Sequence, residues 1–379
     1  MTDVERYFSQ MGLLNLTWGN MVLIVAGLLF ILVAIAKKME PYELLPIGIG
    51  IIIANLPLTR MTSTDLSTVQ GAGLLGLFFH YGLSFWNVLP PLIFLGIGAM
   101  TDFGPVIANP KTLLLGAAAQ VGIFVAFWGA LATGLFSIPE AASIAIIGGA
   151  DGPTTIYTSA RLAPGLLGIT GVVAYSYMAS VAFIQPPLMK LLTTKKERQI
   201  EMKPLREVSR LEKLIFPAVG MIIIILLVPQ SAPLISMFMI GNLFKESGVV
   251  PRLTNAASNE ILNIVTIFLM LTVGAQMSAE AVFNLRTLAV FGLGLAAFSA
   301  GTAGGLIFAK IMNLFVKEKI NPLIGSAGVS AVPMAARISH ILGQEANPRT
   351  WLLPHAMGPN VAGVIGSAVV AGVFLSLVR

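Results

Sequence analysis

From residue 21 to residue 377 the chain is a succession of apolar segments with few charges between them. Continuous ones run over Met21–Ala36, Trp86–Met100, Thr112–Phe136, Gly168–Met189, Leu214–Val228, Ile261–Gly274 and Arg286–Met312. Shorter or interrupted ones cover Leu44–Asn55, Gly71–His80, Ala141–Ala150, Leu234–Phe244, Pro322–Ala331 and Pro359–Leu377. Only 11% of the 379 residues are charged, against about 25% in an ordinary soluble domain. Most of the chain therefore cannot face water, and the bilayer is its solvent. A helix needs about 20 residues to cross, so the short segments must be tilted, re-entrant or half-helices. The expected fold is an all-α polytopic membrane protein with about 10–11 membrane segments.

Charge sets the orientation. Eight of the 23 Lys and Arg residues fall between Lys190 and Lys213. By the positive-inside rule, residues 190–213 are a cytoplasmic loop. The loop divides a membrane half at 1–189 from one at 214–379, and the expected location is the bacterial inner (cytoplasmic) membrane. The net charge of +6 is concentrated there, and no basic face with interleaved aromatics points to nucleic acid. The absence of cysteine excludes disulfides, thiolate metal sites and cysteine nucleophiles. The N-terminal stretch MTDVERYFSQMGLLNLTWGN reads as a short amphipathic lead-in, since no basic run feeds a short apolar core and no small-residue cleavage site follows.

The chain also repeats itself. IFLGIGAMTDF from Ile93 is echoed by IFLMLTVGAQMS from Ile267, at an offset of 174. KTLLLGAAAQVGIF from Lys111 is echoed by RTLAVFGLGLAAF from Arg286, at 175. IGGADGPTTIYTSAR from Ile147 is echoed by IGSAGVSAVPMAAR from Ile324, at 177. Duplicated halves with Gly/Pro-interrupted segments at equivalent places are the sequence signature of secondary-transporter architecture, with an ion site near the midplane. The repeats could be parallel or inverted; inversion is the expectation adopted. Residues 147–161 and 321–337 are the two broken-helix tips.

Asp151 is the acid of the first tip. Charge at membrane depth is costly and marks function. Gly148, Gly149, Gly152 and Pro153 interrupt the helix around it, so freed carbonyls and the carboxylate together offer hard oxygen ligands to a sodium ion or a proton. The competing reading is a surface carboxylate capping a helix through Thr154 or Thr155. The second tip has no acid but offers Asn321, Ser326, Ser330 and a kink at Pro333. Neutral oxygens beside one carboxylate suit a monovalent cation, although a serine hydroxyl often bonds back to its own helix. Arg161 and Arg337 close the two tips, each able to hold an anion or to anchor a helix end. Tyr175 and Tyr177 follow the first tip in VVAYSYMAS, able to relay protons or merely to bond a carbonyl. Asn360 follows a Gly-Pro break, and Asn255, Asn259, Glu260 and Asn263 cluster in TNAASNEILNI. The glycine pairs in GIGIII, GIGAM and GLGLAAF lack the strand context of nucleotide loops. His80, His340 and His355 show no metal spacing, and Met202-Lys203 lacks the context of a biotin acceptor, so no covalent cofactor is expected.

IGGADGPTTIYTSARLAPGLLG, AYSYMASVAFIQPP, NLFKESGVVPRL and the second tip closely resemble the beta subunit of sodium-pumping biotin-dependent decarboxylases, a family acting on oxaloacetate, methylmalonyl-CoA, glutaconyl-CoA or malonate. The likeness covers nearly the whole chain, and GGADGPT is a specific motif. It implies that the chain decarboxylates carboxybiotin delivered by a biotin-carrier subunit and couples this to Na+ export, with a proton consumed. It implies Asp151 in sodium and proton handling, with Asn321, Gly325, Ser330, Arg337, Tyr177 and Asn360 as further site residues. Among these, Asp151, Asn321, Gly325, Ser330 and Asn360 are expected at the sodium ion; Asp151, Tyr177, Ser330 and Arg337 in the chemistry; Arg337 and Asn321 at the biotin. The implied partners are the biotin carrier, a small single-span membrane subunit of gamma or delta type, a carboxyltransferase alpha subunit and further copies of this chain, as a trimer. The chain's shorter length looks more like the acyl-CoA branch.

A secondary Na+-coupled carboxylate transporter would share the repeats and the broken helices, and fold alone does not separate the two. A passive channel explains a lone acid poorly.

Overall fold

The computed structural model describes residues 7–9, 11–65, 71–282 and 284–378. Residues 1–6 and 10 of the expected N-terminal lead-in lie outside them. Among the described residues there is no strand, and the architecture is all-α. Helices α1 (Trp18–Lys37) and α2 (Pro41–Ala54) form a hairpin. A pair bent by 78°, α3 (Leu74–Phe85) and α4 (Leu89–Met100), follows, and then α5 (Thr112–Ala132). Next come α6 (Ile138–Gly149), α7 (Gly152–Leu162) and α8 (Leu167–Leu192). Beyond the basic loop the order recurs as α9 (Arg210–Leu227), α10 (Ala232–Ser247), α11 (Pro251–Ala275) and α12 (Leu285–Phe315). The 3-10 turns Pro322–Gly328, α13 (Met334–Ala346) and α14 (Leu353–Leu377) complete it. Among the described residues six helices are long and apolar enough to cross a membrane, and the α3–α4 pair passes the same test only when its two bent halves are taken together. The remaining short pieces fill the bundle between them, as the segment lengths anticipated.

Packing obeys the duplication. Helix α4 lies on α10 and α11 on α2; α8 lies on α12, and α14 on the first half of α5. Each half thus exchanges partners with the other.

Side-chain contacts at the helix ends give the directions. The face carrying the basic loop, the loop face, gathers the start of α5, the ends of α8 and α12 and the start of α14. It is tied there by Lys310–Glu197 at 3.2 Å, Lys203–Glu318 at 2.6 Å and Lys190–Glu345 at 2.9 Å. The opposite face gathers Glu140 with Arg286, and Pro139, Arg161 and Leu375 around one cleft. Helix α5 leaves the loop face whereas α12 arrives at it; α8 arrives whereas α14 leaves. Equivalent helices are antiparallel, so the repeats are inverted. Helix α12, at 31 residues, is about 46 Å long and reaches beyond both sides of a 30 Å hydrocarbon core.

Outward-facing apolar side chains, among them Leu28, Leu32 and Ile35 on α1 and Ile222 and Leu226 on α9, give the bundle a lipid-facing belt.

Candidate functional site at the meeting of two hairpins

Helices α6 and α7 form a re-entrant hairpin that opens to the face away from the loop. Its base is fixed by a capping box in which Ser137 and Glu140 bond reciprocally, and Glu140 also accepts from Arg286. The helix fails at the tip for local reasons. Two glycines end α6, Ala150 turns left-handed at φ 53°, and Pro153 cannot extend a helix backwards. Asp151 becomes the N-cap of α7: Oδ1 accepts from the Thr154 N–H at 3.0 Å, and its carbonyl accepts from Thr155. The capping role weighed in the sequence is therefore real. The residue is nonetheless only 5% exposed, and so is not a surface cap.

The second hairpin, Pro322–Gly328 with α13, enters from the loop face. Its close approach depends on paired glycines. A Cβ on Gly325 would stand 2.1 Å from the Gly305 carbonyl oxygen, and one on Gly305 2.0 Å from that of Gly325. The two tips meet inside the bundle, where the Ser330 N–H donates to the Gly149 carbonyl at 2.8 Å. Helix α14 passes behind both. Asn360 donates to the Ala327 and Val329 carbonyls at 2.9 and 2.8 Å, holding the second tip open. Two turns further on, Ser367 donates to Asp151 Oδ2 at 2.6 Å and lies 3.4 Å from the Ser330 hydroxyl.

The site is a nest of oxygens around the Asp151 carboxylate, with Glu43 and Glu40 also within electrostatic reach of the Tyr175 hydroxyl. Asn360 Oδ1 and the Tyr175 hydroxyl are buried without a hydrogen-bond partner. Gln120, at the bend inside α5, adds another: its Nε2 bonds the Gly116 carbonyl at 3.1 Å while Oε1 stays unpaired. A Cβ on Gly149 would lie 3.7 Å from that Oε1. Buried polar atoms are almost always paired, so the unpaired oxygens near Asp151 mark this junction as a candidate cation site. The donor set suits sodium: hard oxygens, one negative charge, and no group of three His, Cys, Asp or Glu side chains among the described residues.

The expected site residues separate into two zones. Asp151, Ser330 and Asn360 come together at the tips. Asn321 lies at the base of its hairpin, donating to the Arg198 and Ile200 carbonyls of the basic loop at 2.9 and 3.0 Å, and Gly325 is part of the packing against α12. Tyr177 points to α12, where its hydroxyl donates to the Phe291 carbonyl. Tyr175, two residues earlier, is the one whose ring closes on the Asp151 turn: a Cβ on Gly152 would fall 2.2 Å from it. Arg337 is exposed, within electrostatic reach of Glu40. Arg161 is exposed at the other face, its guanidinium 4.8 Å from the Tyr157 ring centroid.

Residues 19–378 match the family model described as the Na+-transporting oxaloacetate decarboxylase beta subunit. The chain belongs to this family. It is 54% identical over 391 residues to the methylmalonyl-CoA decarboxylase subunit beta of Propionigenium modestum, which covers 98% of each chain. It is 54% identical over 367 residues to the glutaconyl-CoA decarboxylase subunit beta of Acidaminococcus fermentans, covering 97% of this chain and 95% of the relative. Identity to the oxaloacetate decarboxylase beta chain of Klebsiella pneumoniae is 48% over 431 residues, covering 100% and 99%. The family resemblance carried by GGADGPT thus extends along the whole membrane bundle, residues 19–378.

Two site residues were missing from the sequence reading, Ser367 and Gln120. Ser367 had a signal, since it stands seven residues after Asn360 and hence on the same helical face. Gln120 had only a weak one, as an uncharged amide inside an apolar span.

Proposed function

We propose that this chain discharges carboxybiotin, brought by a biotin-carrier partner, and uses the reaction to move sodium across the inner membrane. The observation that carries the reading is Asp151: one buried acid at the junction of two inverted hairpins, bonded by Ser367 and faced by unpaired oxygens.

Carboxybiotin is an N-carboxylated urea. Loss of CO2 breaks the N–C bond, leaves the electron pair on the ureido nitrogen and requires one proton there. A sodium ion and a proton compete for Asp151, because two positive charges on one buried carboxylate would be costly in this medium. Sodium arriving at Asp151, Ser330, Asn360 and their neighbours releases the proton, and that proton neutralises the departing nitrogen. Inverted hairpins opening to opposite faces supply the two access routes that transport needs. Asn321 and Gly325 fix the second hairpin in this scheme, and Arg337 on the loop side is available to an anionic head group. Lys111, Lys190, Lys203 and Lys317 lie at the loop face, so the positive-inside rule makes that face cytoplasmic.

The test is decarboxylation of carboxylated carrier by the purified chain in liposomes, with radioactive sodium followed. Sodium-stimulated CO2 release with coupled sodium movement supports the pump. Sodium movement driven by a soluble carboxylate, without CO2 release, makes the chain a transporter and overturns this reading.

A further inference from the structure

Two carboxyl groups at the turn between α1 and α2 belong to neither tip. Lys38 and Glu40 both take left-handed backbone, at φ 52° and 36°, so the chain reverses within a few residues and Pro41 opens α2. The other end of α2 lies toward the far face, where Asn55 donates to the Met277 carbonyl at 2.7 Å, ahead of the start of α12. The turn is therefore the end of the hairpin nearer the loop face. Here Glu40 and Glu43, both half-buried, hydrogen-bond each other through their side chains. Glu43 Oε2 is buried without a hydrogen-bond partner. Arg337 of α13 bears on Glu40, and the charge bearing on Glu43 is that of Glu40. Lys37 and Lys38, just before the pair, are exposed. Two carboxylates against the exposed Arg337 guanidinium leave one negative charge to be met.

Tyr175 connects this pair to Asp151. Leu44, next to Glu43, packs with Ala179 of α8. Because α8 runs toward the loop face, Tyr175 lies one turn deeper than Ala179. The residue is 2% exposed, and its hydroxyl has no hydrogen-bond partner. A Cβ on Gly152 would stand 2.6 Å from the hydroxyl oxygen, which sets that oxygen against the Asp151 turn. Glu43, Asp151 and Glu40 all act on it electrostatically. Three carboxyl groups thus converge on one buried, unpaired oxygen.

Touching carboxyl groups cannot both stay ionised unless a cation joins them. We propose that Glu40 and Glu43 hold a second sodium ion, a waiting site from which the ion passes the Tyr175 hydroxyl to Asp151. The assignment rests on the sodium-pump reading above and adds its loading step. Hard oxygens with one uncompensated charge suit a monovalent cation. A cleft lined by negative charge raises the local concentration of such an ion and speeds its capture. The Tyr175 oxygen gives the ion a neutral ligand between the two acidic stations.

Binding of radioactive sodium to the full chain in detergent, counted by equilibrium dialysis, reads this out without turnover. Asp151→Asn should retain an ion that Asp151→Asn/Glu43→Gln loses. In liposomes fed carboxylated carrier, Glu43→Gln should raise the sodium half-saturation about tenfold. The glutamine can still hydrogen-bond Glu40, and Glu43→Asp, which restores the charge, should recover part of the loss. Tyr175→Phe keeps the ring against Gly152 and should slow sodium uptake while leaving the Glu43-dependent ion bound. If Glu43→Gln changes neither the ion count nor the half-saturation, the two carboxyls merely share a proton and the proposal is overturned. Should sodium bind only through Asp151 while CO2 release stays sodium-stimulated, the waiting site fails and the pump reading stands. Should the wild-type chain release no CO2 yet bind a Glu43-dependent ion, the waiting site stands and the pump reading fails.

Discussion

Ser330, at the tip of the hairpin that enters from the loop face, donates its backbone N–H to the carbonyl of Gly149, at the tip of the hairpin that enters from the other. This 2.8 Å bond joins the two repeats one and two residues away from the buried acid Ala150-Asp151 turn. A shift of either hairpin changes the oxygens around Asp151.

Asp151→Asn keeps an N-cap, since the amide oxygen can still accept from Thr154, and the protein should fold with little change in melting temperature. The neutral residue neither binds sodium by charge nor carries an exchangeable acidic proton. Loss of a general acid typically costs about 10²–10⁴-fold in rate. Sodium-stimulated CO2 release by the variant should fall by that order, and a full rate would sink the assignment.

Ser367→Ala removes the 2.6 Å bond to Asp151 without touching the cap. Hydrogen bonds to charged groups contribute about 1.5–3 kcal/mol. Sodium half-saturation should therefore shift about tenfold or more, since 1.4 kcal/mol is a factor of ten. A sodium titration of decarboxylation decides it, and an unmoved midpoint would make Ser367 a bystander.

Why some of this was legible in the sequence and some was not follows from the kind of signal each residue leaves. The first tip was readable because Gly148, Gly149, Asp151 and Pro153 break a helix through their own backbone chemistry. Inversion was not, because antiparallel and parallel repeats share one hydropathy pattern; it emerged from which helix ends share a face, as with Lys310 and Glu197. The roles of Asn321 and Tyr177 could not be placed for a different reason. Both bond backbone carbonyls, of Arg198 and Ile200 in one case and Phe291 in the other, and every residue in the chain owns a carbonyl. Tyr175 and Tyr177 were indistinguishable in composition, yet their two-residue spacing puts them on nearly opposite sides of α8.

Gly325→Ala tests the approach of the second hairpin to α12. The added Cβ would meet a backbone oxygen at 2.1 Å, and backbone cannot rotate away as a side chain does. Overpacking of this kind costs about 1–3 kcal/mol, and small residues at such crossings are what let membrane helices touch. The variant should melt earlier in detergent, and its sodium half-saturation should rise because Ser330 is displaced with the hairpin. A wild-type melting temperature would show that the hairpin is free to move away from α12.

Asn321→Ala tests how the basic loop is held. The side chain gives two hydrogen bonds to loop carbonyls and accepts a third from Leu323 N–H, at 3.1 Å, inside its own hairpin. Deleting it leaves the carbonyls of Arg198 and Ile200 to find water, at a net cost of about 1 kcal/mol per bond. Opening of the loop becomes more favourable by about 1–2 kcal/mol, a factor of roughly 5–30. Cleavage that samples the open form should accelerate by that factor. Trypsin can act after Lys195, Lys196, Arg198 and Arg206. In inside-out vesicles it should cut the wild-type loop and cut Asn321→Ala faster, whereas right-side-out vesicles should be spared. Cleavage confined to right-side-out vesicles would reverse the orientation, and with it the direction of sodium movement. Equal rates for wild type and variant would mean that the loop is held by its ion pairs, Lys203–Glu318 and Lys310–Glu197, with Asn321 left to cap the hairpin alone.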